Sequence, residues 1–219
     1  MNKVGILGGT FDPIHCGHLD VAEAAARALE LDRVWLMPAN LPPHRAVPQA
    51  SAPHRFAMAA LAILGHPRLA LLDLEMLSPD PSYTSASLDR LEARGIETKT
   101  LFLITGADAF RDIGSWKDYP AILERAHFVA VSRPQTSVST LSGHLPALAA
   151  RMIDPPAPGA PVPPSSIVLV DAPTAPVSST EVRRRVQADE SLAGLVPELV
   201  AGYIRTHHLY TRIPTHGQI

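Results

Sequence analysis

The chain carries a single cysteine, Cys16, in 219 residues. An intramolecular disulfide is therefore excluded, which fits a reducing compartment. Aromatic residues make up 5% of a chain that is 46% hydrophobic, so the core must be aliphatic and alanine-rich. No sign of charge dominates. The 19 basic and 21 acidic residues leave a net charge of −2, without the bulk field that draws a protein to nucleic acid or an anionic membrane. An anion would have to be held by a local site. No run approaches the ~18 apolar residues of a membrane helix. The opening residues MNKVGILGG lack the apolar stretch of a signal peptide. These absences point to a cytoplasmic globular protein with neither nucleic acid nor membrane as partner. The usual nucleotide fingerprints are missing too: no Gly-Lys-Ser/Thr closes a phosphate loop, and there is no GxGxxG.

Short apolar runs alternate with helical periodicity. Strands are expected at 4–7, 34–37, 69–72, 100–105, 128–131 and 167–170. Helices are expected at about 17–31, 54–65, 82–93, 118–125, 179–188 and 196–207. Most of the strands are continuously apolar, which argues a parallel sheet covered on both faces. The fold class is α/β: a Rossmann-like, doubly wound parallel sheet in one domain spanning 1–212, with a small helical C-terminal segment. The Pro-, Ser- and Ala-rich stretch 134–165 reads as an insertion or mobile loop, and 213–219 as a tail. In such sheets ligands bind at the carboxyl ends of the strands. Every unusual cluster in this chain follows a strand.

The first cluster is GGTFDPIHCGH, residues 8–18. Gly8 and Gly9 let a ligand or second backbone come close. Thr10 and Phe11 follow on the strand exit. A helix start, with its free N–H groups and dipole, favours an anion. His15 and His18 are three apart across that start, so both rings can face one point. The segment is also compatible with a plain Asp12-Pro13 turn bearing two histidines. A zinc reading is weaker, since no Glu stands between the histidines and no further ligand is near.

The second cluster, Ser178-Ser179-Thr180-Glu181 and the arginines after it, fits a capped helix with Ser178 as N-cap. It also fits a second anion site with Arg183 one turn in. Three consecutive arginines cannot share one face. Gly106-Ala107-Asp108 ends the 100–105 strand; Asp108 suits a ribose hydroxyl, a metal, or an N-cap. Trp116 would stack on a flat ring or anchor a core patch. Pro42-Pro43-His44-Arg45 and Ser82-Tyr83-Thr84 carry donors after strand ends, and also suit a rigid loop and a helix cap.

Taken together the clusters resemble the nucleotidyltransferase superfamily with a T/H-x-G-H loop, here His15-Cys16-Gly17-His18. More closely, the ordered series GGTFDPIHxGH, MPAxxPPH, PSYT, GxD, a following Trp, SRP and SSTxVR is similar to bacterial nicotinate-nucleotide adenylyltransferases across residues 4–212. That resemblance implies transfer of an adenylyl group from ATP to nicotinate mononucleotide, giving nicotinate adenine dinucleotide and pyrophosphate. It implies ATP contacts at Gly8, Gly9, Thr10, Phe11, His15, His18, Gly106, Asp108, Ser178, Thr180 and Arg183, with His15, His18 and Arg183 at the reacting phosphates. It implies mononucleotide contacts at His44, Tyr83, Thr84, Asp108, Trp116 and Arg133. Mg²⁺ would travel on the ATP phosphates, with no protein metal site. Another acceptor, nicotinamide mononucleotide or phosphopantetheine, and a non-catalytic nucleotide sensor are the alternatives. A homo-oligomer is compatible with the sequence, which does not fix the oligomeric state.

Overall fold

The computed structural model describes residues 3–43 and 47–211. His44 and the 213–219 tail lie outside the described residues. β1 (Val4–Gly9) is the first apolar run, with Ile6 and Leu7 buried on its opposite faces. α1 (Cys16–Ala28) turns Leu19, Ala22 and Ala26 into the core. β2 (Arg33–Pro38), α2 (Ala52–Ala62), β3 (Leu69–Leu71) and α3 (Thr84–Ala93) follow. β4 (Leu101–Gly106) leads into the single-turn α4 (Ala107–Phe110). β5 (His127–Val131) is buried along its whole length, as a strand covered on both faces must be. Then come α5 (Leu141–His144), β6 (Met152–Ile153), β7 (Ile167–Val170), α6 (Ser179–Gln187) and α7 (Glu198–Thr206).

All pairings are parallel, and the seven strands lie in the order β3-β2-β1-β4-β5-β7-β6. The chain runs outward from β1 to one edge, returns to β4, and runs outward to β6 at the other edge before β7 comes back between β5 and β6. The strand order therefore reverses between β1 and β4, where an open α/β sheet leaves a crevice beyond its carboxyl ends. One apolar layer joins α1, α2, α6 and α7 to one face of the sheet. A second layer on the opposite face gathers Leu88, Leu91, Phe110 and Phe128. No helix among the described residues is long and apolar enough to cross a membrane.

Two sequence expectations need correction. The 134–165 stretch, expected as an insertion or mobile loop with no strand in it, holds α5, short 3₁₀ turns and β6, a seventh strand that pairs with β7 at the sheet edge. Two residues of strand are too short a pattern to stand out among prolines. The helix expected at 118–125 shrinks to a 3₁₀ turn at Ala121–Glu124. Asp118 takes a left-handed backbone (φ 64°), and Pro120 lacks the N–H and disfavours helix at the residue before it.

Candidate active site

Leu7 pairs with Ile104, so the exits of β1 and β4 lie level with each other. From β1 the loop 10–14 leads to His15, the N-cap of α1, whose backbone is extended (φ −147°, ψ 169°). The His15 and His18 rings stack with centroids 3.6 Å apart and planes at 22°. The His15 backbone N–H donates to Nδ1 of His18 at 3.3 Å. His18 thus fills the place a Glu takes in a capping box, and that bond assigns the proton of its neutral ring to Nε2. Phe11 meets His18 edge-on, centroids 5.0 Å apart. Its own ring is buried, so Phe11 offers the crevice its backbone, which is left-handed (φ 50°).

His15 is 2% exposed, and its Nδ1 has no hydrogen-bond partner among the described residues. Burial first, then the Arg133 charge, pull its pKa down to about 3. The ring is neutral at ordinary pH. Arg133 donates to the carbonyls of Gly17 (2.9 Å) and Val177 (3.1 Å). The sequence reading put Arg133 on the mononucleotide side. The structure places it between the starts of α1 and α6, bridging the two candidate phosphate loops. This explains Gly17: a Cβ there would lie 2.7 Å from Arg133 Nη1 and 3.1 Å from the Ala175 carbonyl. Cys16, between the histidines' flanks, is half-buried, and burial with the nearby Asp20 pushes its thiol pKa up. It stays a thiol.

The second cluster meets the first. Ser178 caps α6, its Oγ accepting from the Glu181 N–H at 3.1 Å. Ser179 Oγ donates to the Pro13 carbonyl at 2.9 Å. Arg183 Nη1 donates to the Asp12 carbonyl at 2.6 Å, and Nη2 to Thr180 Oγ1 at 3.3 Å. Arg184 and Arg185 turn away onto Glu181, and Arg184 reaches Glu190 as well. Of the three arginines only Arg183 reaches the loop 10–14. Two helix N-termini and their dipoles therefore open on one crevice.

Asp108 is exposed in the first turn of α4, and Gly106, not Asp108, is the N-cap. A side chain on Gly106 would strike Asp108 and Arg133. Further along the rim, Tyr83 caps α3 and Thr84 opens it. Trp116 is half-buried, edge-on to Phe128 at 6.4 Å. Its neighbour Lys117 places Nζ 4.9 Å from the Tyr83 ring centre, so the Trp116 and Tyr83 segments share one part of the rim. Among the described residues no group of three or more His, Cys, Asp or Glu is placed to hold a metal ion.

Sequence reasoning missed two things. The first is a cleft of about 710 Å³ at the exits of β5 and β7, walled by Arg133, Thr136, Asp171 and Thr174. The second is a buried network beneath the loop 10–14, built from Asp12, Arg55 and Tyr210. An arginine on the apolar face of a helix was the one available signal.

Fold and site together define a class: residues 6–185 match the cytidylyltransferase-like family model. Within it, the chain is 41% identical to a protein of Roseiflexus sp. (strain RS-1) named "Probable nicotinate-nucleotide adenylyltransferase", covering 94% of this chain and 97% of that one. A protein of the same name from Pseudomonas syringae pv. tomato is 36% identical over 98% of this chain and 96% of its own. The chain belongs to the nicotinate-nucleotide adenylyltransferase family. The Plasmodium falciparum nicotinic acid mononucleotide adenylyltransferase complexed with NaAD shares the fold, with a TM-score of 0.74 at 19% identity, covering 96% of this chain and 98% of that one.

Proposed function

We propose that this chain transfers the adenylyl group of ATP to nicotinate mononucleotide, releasing pyrophosphate, as a cytoplasmic step in making a pyridine dinucleotide. The observation that carries this is the meeting of the two helix N-termini: α1 with its stacked His15 and His18, α6 with Ser178, Thr180 and Arg183, tied together through Pro13 and Asp12. One such end suits a phosphate; two facing ends suit a triphosphate.

The mononucleotide phosphate is already an anionic nucleophile, so the reaction needs no general base. Its oxygen attacks the α-phosphorus in line as the bond to the β-phosphate oxygen breaks, and pyrophosphate leaves. Positioning and charge stabilisation then carry catalysis. His18, with Nε2–H as donor, and neutral His15 bind the reacting phosphate oxygens. Arg183 and the α6 N-terminus hold the β and γ phosphates, with Ser178 and Thr180 lining that end. The Gly8–Phe11 exit and Gly106 let the substrates approach the backbone. The cleft beyond Arg133, whose volume is in the range of small-molecule sites, takes the adenosine. Trp116, Tyr83, Thr84 and Asp108 form the mononucleotide side, Trp116 stacking on the pyridine ring. Mg²⁺ enters as part of the ATP substrate, on its phosphate oxygens.

The test is pyrophosphate release from MgATP with each candidate acceptor. Nicotinate mononucleotide should give the highest kcat/KM. Equal values for the nicotinamide analogue would overturn the choice of acceptor, and no release with any acceptor would overturn the activity.

A further inference from the structure

Beneath the loop 10–14 lies a network built from Asp12, Arg55 and Tyr210, none of which is an expected substrate contact, though it bonds to Thr10 and Arg183, which are. Asp12 is buried, and its carboxylate accepts from the Gln49 N–H (2.8 Å), the Ala50 N–H (3.0 Å) and the Tyr210 hydroxyl (2.8 Å). The main-chain carbonyl of the same residue receives Arg183. Arg183 Nη1 also lies 3.9 Å from the Asp12 carboxylate. Arg55, 1% exposed, donates to the carbonyls of Thr10 (2.6 Å), Ala39 (2.5 Å), Asn40 (3.1 Å) and Ala50 (3.2 Å). Asp12 and Arg55 together fasten the two ends of the 39–50 loop to the first phosphate loop.

Tyr210 comes from the far end of the chain, beyond α7. It is 7% exposed and holds a left-handed backbone (φ 63°). That conformation is unfavourable for a bulky residue by roughly 1–2 kcal/mol, and it persists where surrounding contacts enforce it. Phe11, next to Asp12, is left-handed too (φ 50°). One partner of the Tyr210–Asp12 hydrogen bond, and the residue next to the other, thus take the left-handed conformation. A phenol that served only to fill the core would need neither the strain nor a charged acceptor.

We infer that Tyr210 is a positioning residue for adenylyl transfer: through its bond to Asp12 it fixes the loop that aims Arg183 and carries His15. The inference rests on the adenylyl-transfer reading. Without the hydroxyl, Asp12 loses one of its carboxylate donors and the loop gains freedom next to the reacting phosphates. Misplacement of ~1 Å at a distance from the chemistry can lower rates by up to ~10².

The experiment compares wild type, Tyr210→Phe, Asp12→Asn and the double variant. It reads kcat by pyrophosphate release, KM for each substrate, Kd for a non-hydrolysable ATP analogue, and Tm. Tyr210→Phe should lower kcat roughly 10-fold and weaken the ATP analogue several-fold, while KM for the mononucleotide stays within about 2-fold. The double variant should be no slower than Asp12→Asn alone, because the two changes break one bond. A lower Tm with kcat and analogue affinity unchanged would reduce Tyr210 to a structural residue and overturn the inference. So would losses that multiply in the double variant. If wild type binds the analogue but turns over none of the acceptors, the acceptor reading fails by itself. The analogue affinities of Tyr210→Phe and the double variant then still decide the role of Tyr210.

Discussion

His15 should make the protein acid-sensitive through its burial. In the unfolded chain the imidazole takes a proton below its ordinary pKa of 6.5; in the folded protein it resists until about 3. Between those values the unfolded state holds more protons, so stability is full above pH 6.5 and falls as the pH drops toward 3. At pH 5, 1.5 units below the unfolded value, the loss from this one ring is about 2 kcal/mol. His127, at the start of β5, is buried too and burial lowers its pKa, so it tilts stability in the same direction. The contribution of His15 is therefore read by difference. Urea unfolding of wild type and His15→Asn at pH 7.5 and pH 5 gives two stability losses, and the variant should lose less by about 2 kcal/mol. Equal losses would mean that His15 protonates inside the fold. The assignment of a neutral imidazole beside the phosphates would then be wrong.

Other perturbations separate the parts of the site. His18→Ala should lower kcat by ~10²–10³ with Tm little changed, since it deletes a transition-state donor on a helix start. Gly17→Ala would put a methyl 2.7 Å from Arg133 Nη1, so a drop of about 1–3 kcal/mol in urea-unfolding stability is expected together with loss of turnover. Trp116→Ala should raise KM for the mononucleotide roughly 10-fold, the worth of one stacked base, and leave KM for ATP near its original value in steady-state assays.

The parallel sheet was legible because its strands are continuous apolar runs; β5 is the plainest case, with every residue buried. The switch point between β1 and β4 was not, because strand order depends on contacts that no local pattern encodes. The pairing of the two loops could be expected from their chemistry alone: a capped helix with one arginine complements a Gly-Gly exit with two histidines. The contact that unites them could not, since Arg183 reaches the backbone carbonyl of Asp12, an acceptor that any residue type provides. The bridging contacts of Arg133 were illegible for the same reason. Its guanidinium ends on the carbonyls of Gly17 and Val177, and sequence spacing says nothing about either. Asp12 could be read as a turn former, but the role of its carboxylate depends on partners at 49, 50 and 210.

The site gathers less positive charge than a bound triphosphate invites. His15 is kept neutral by burial and by Arg133. Arg133 is engaged by two carbonyls, and Arg183 lies 3.9 Å from the Asp12 carboxylate. Arg184 and Arg185, adjacent in sequence, are neutralised by Glu181 and Glu190. What remains is two guanidiniums, one of them beside a carboxylate, two donor rings and two helix ends, each end worth roughly half a charge. This restraint suits the chemistry. A pocket crowded with cations would bind ATP in its ground state as strongly as the transition state, and such uniform binding lowers KM without lowering the barrier. Oriented neutral donors act most strongly where charge develops during transfer, and they release the product once it has formed. On this account the burial of His15 belongs to the mechanism. A protonated histidine there would tighten the ground state more than the transition state.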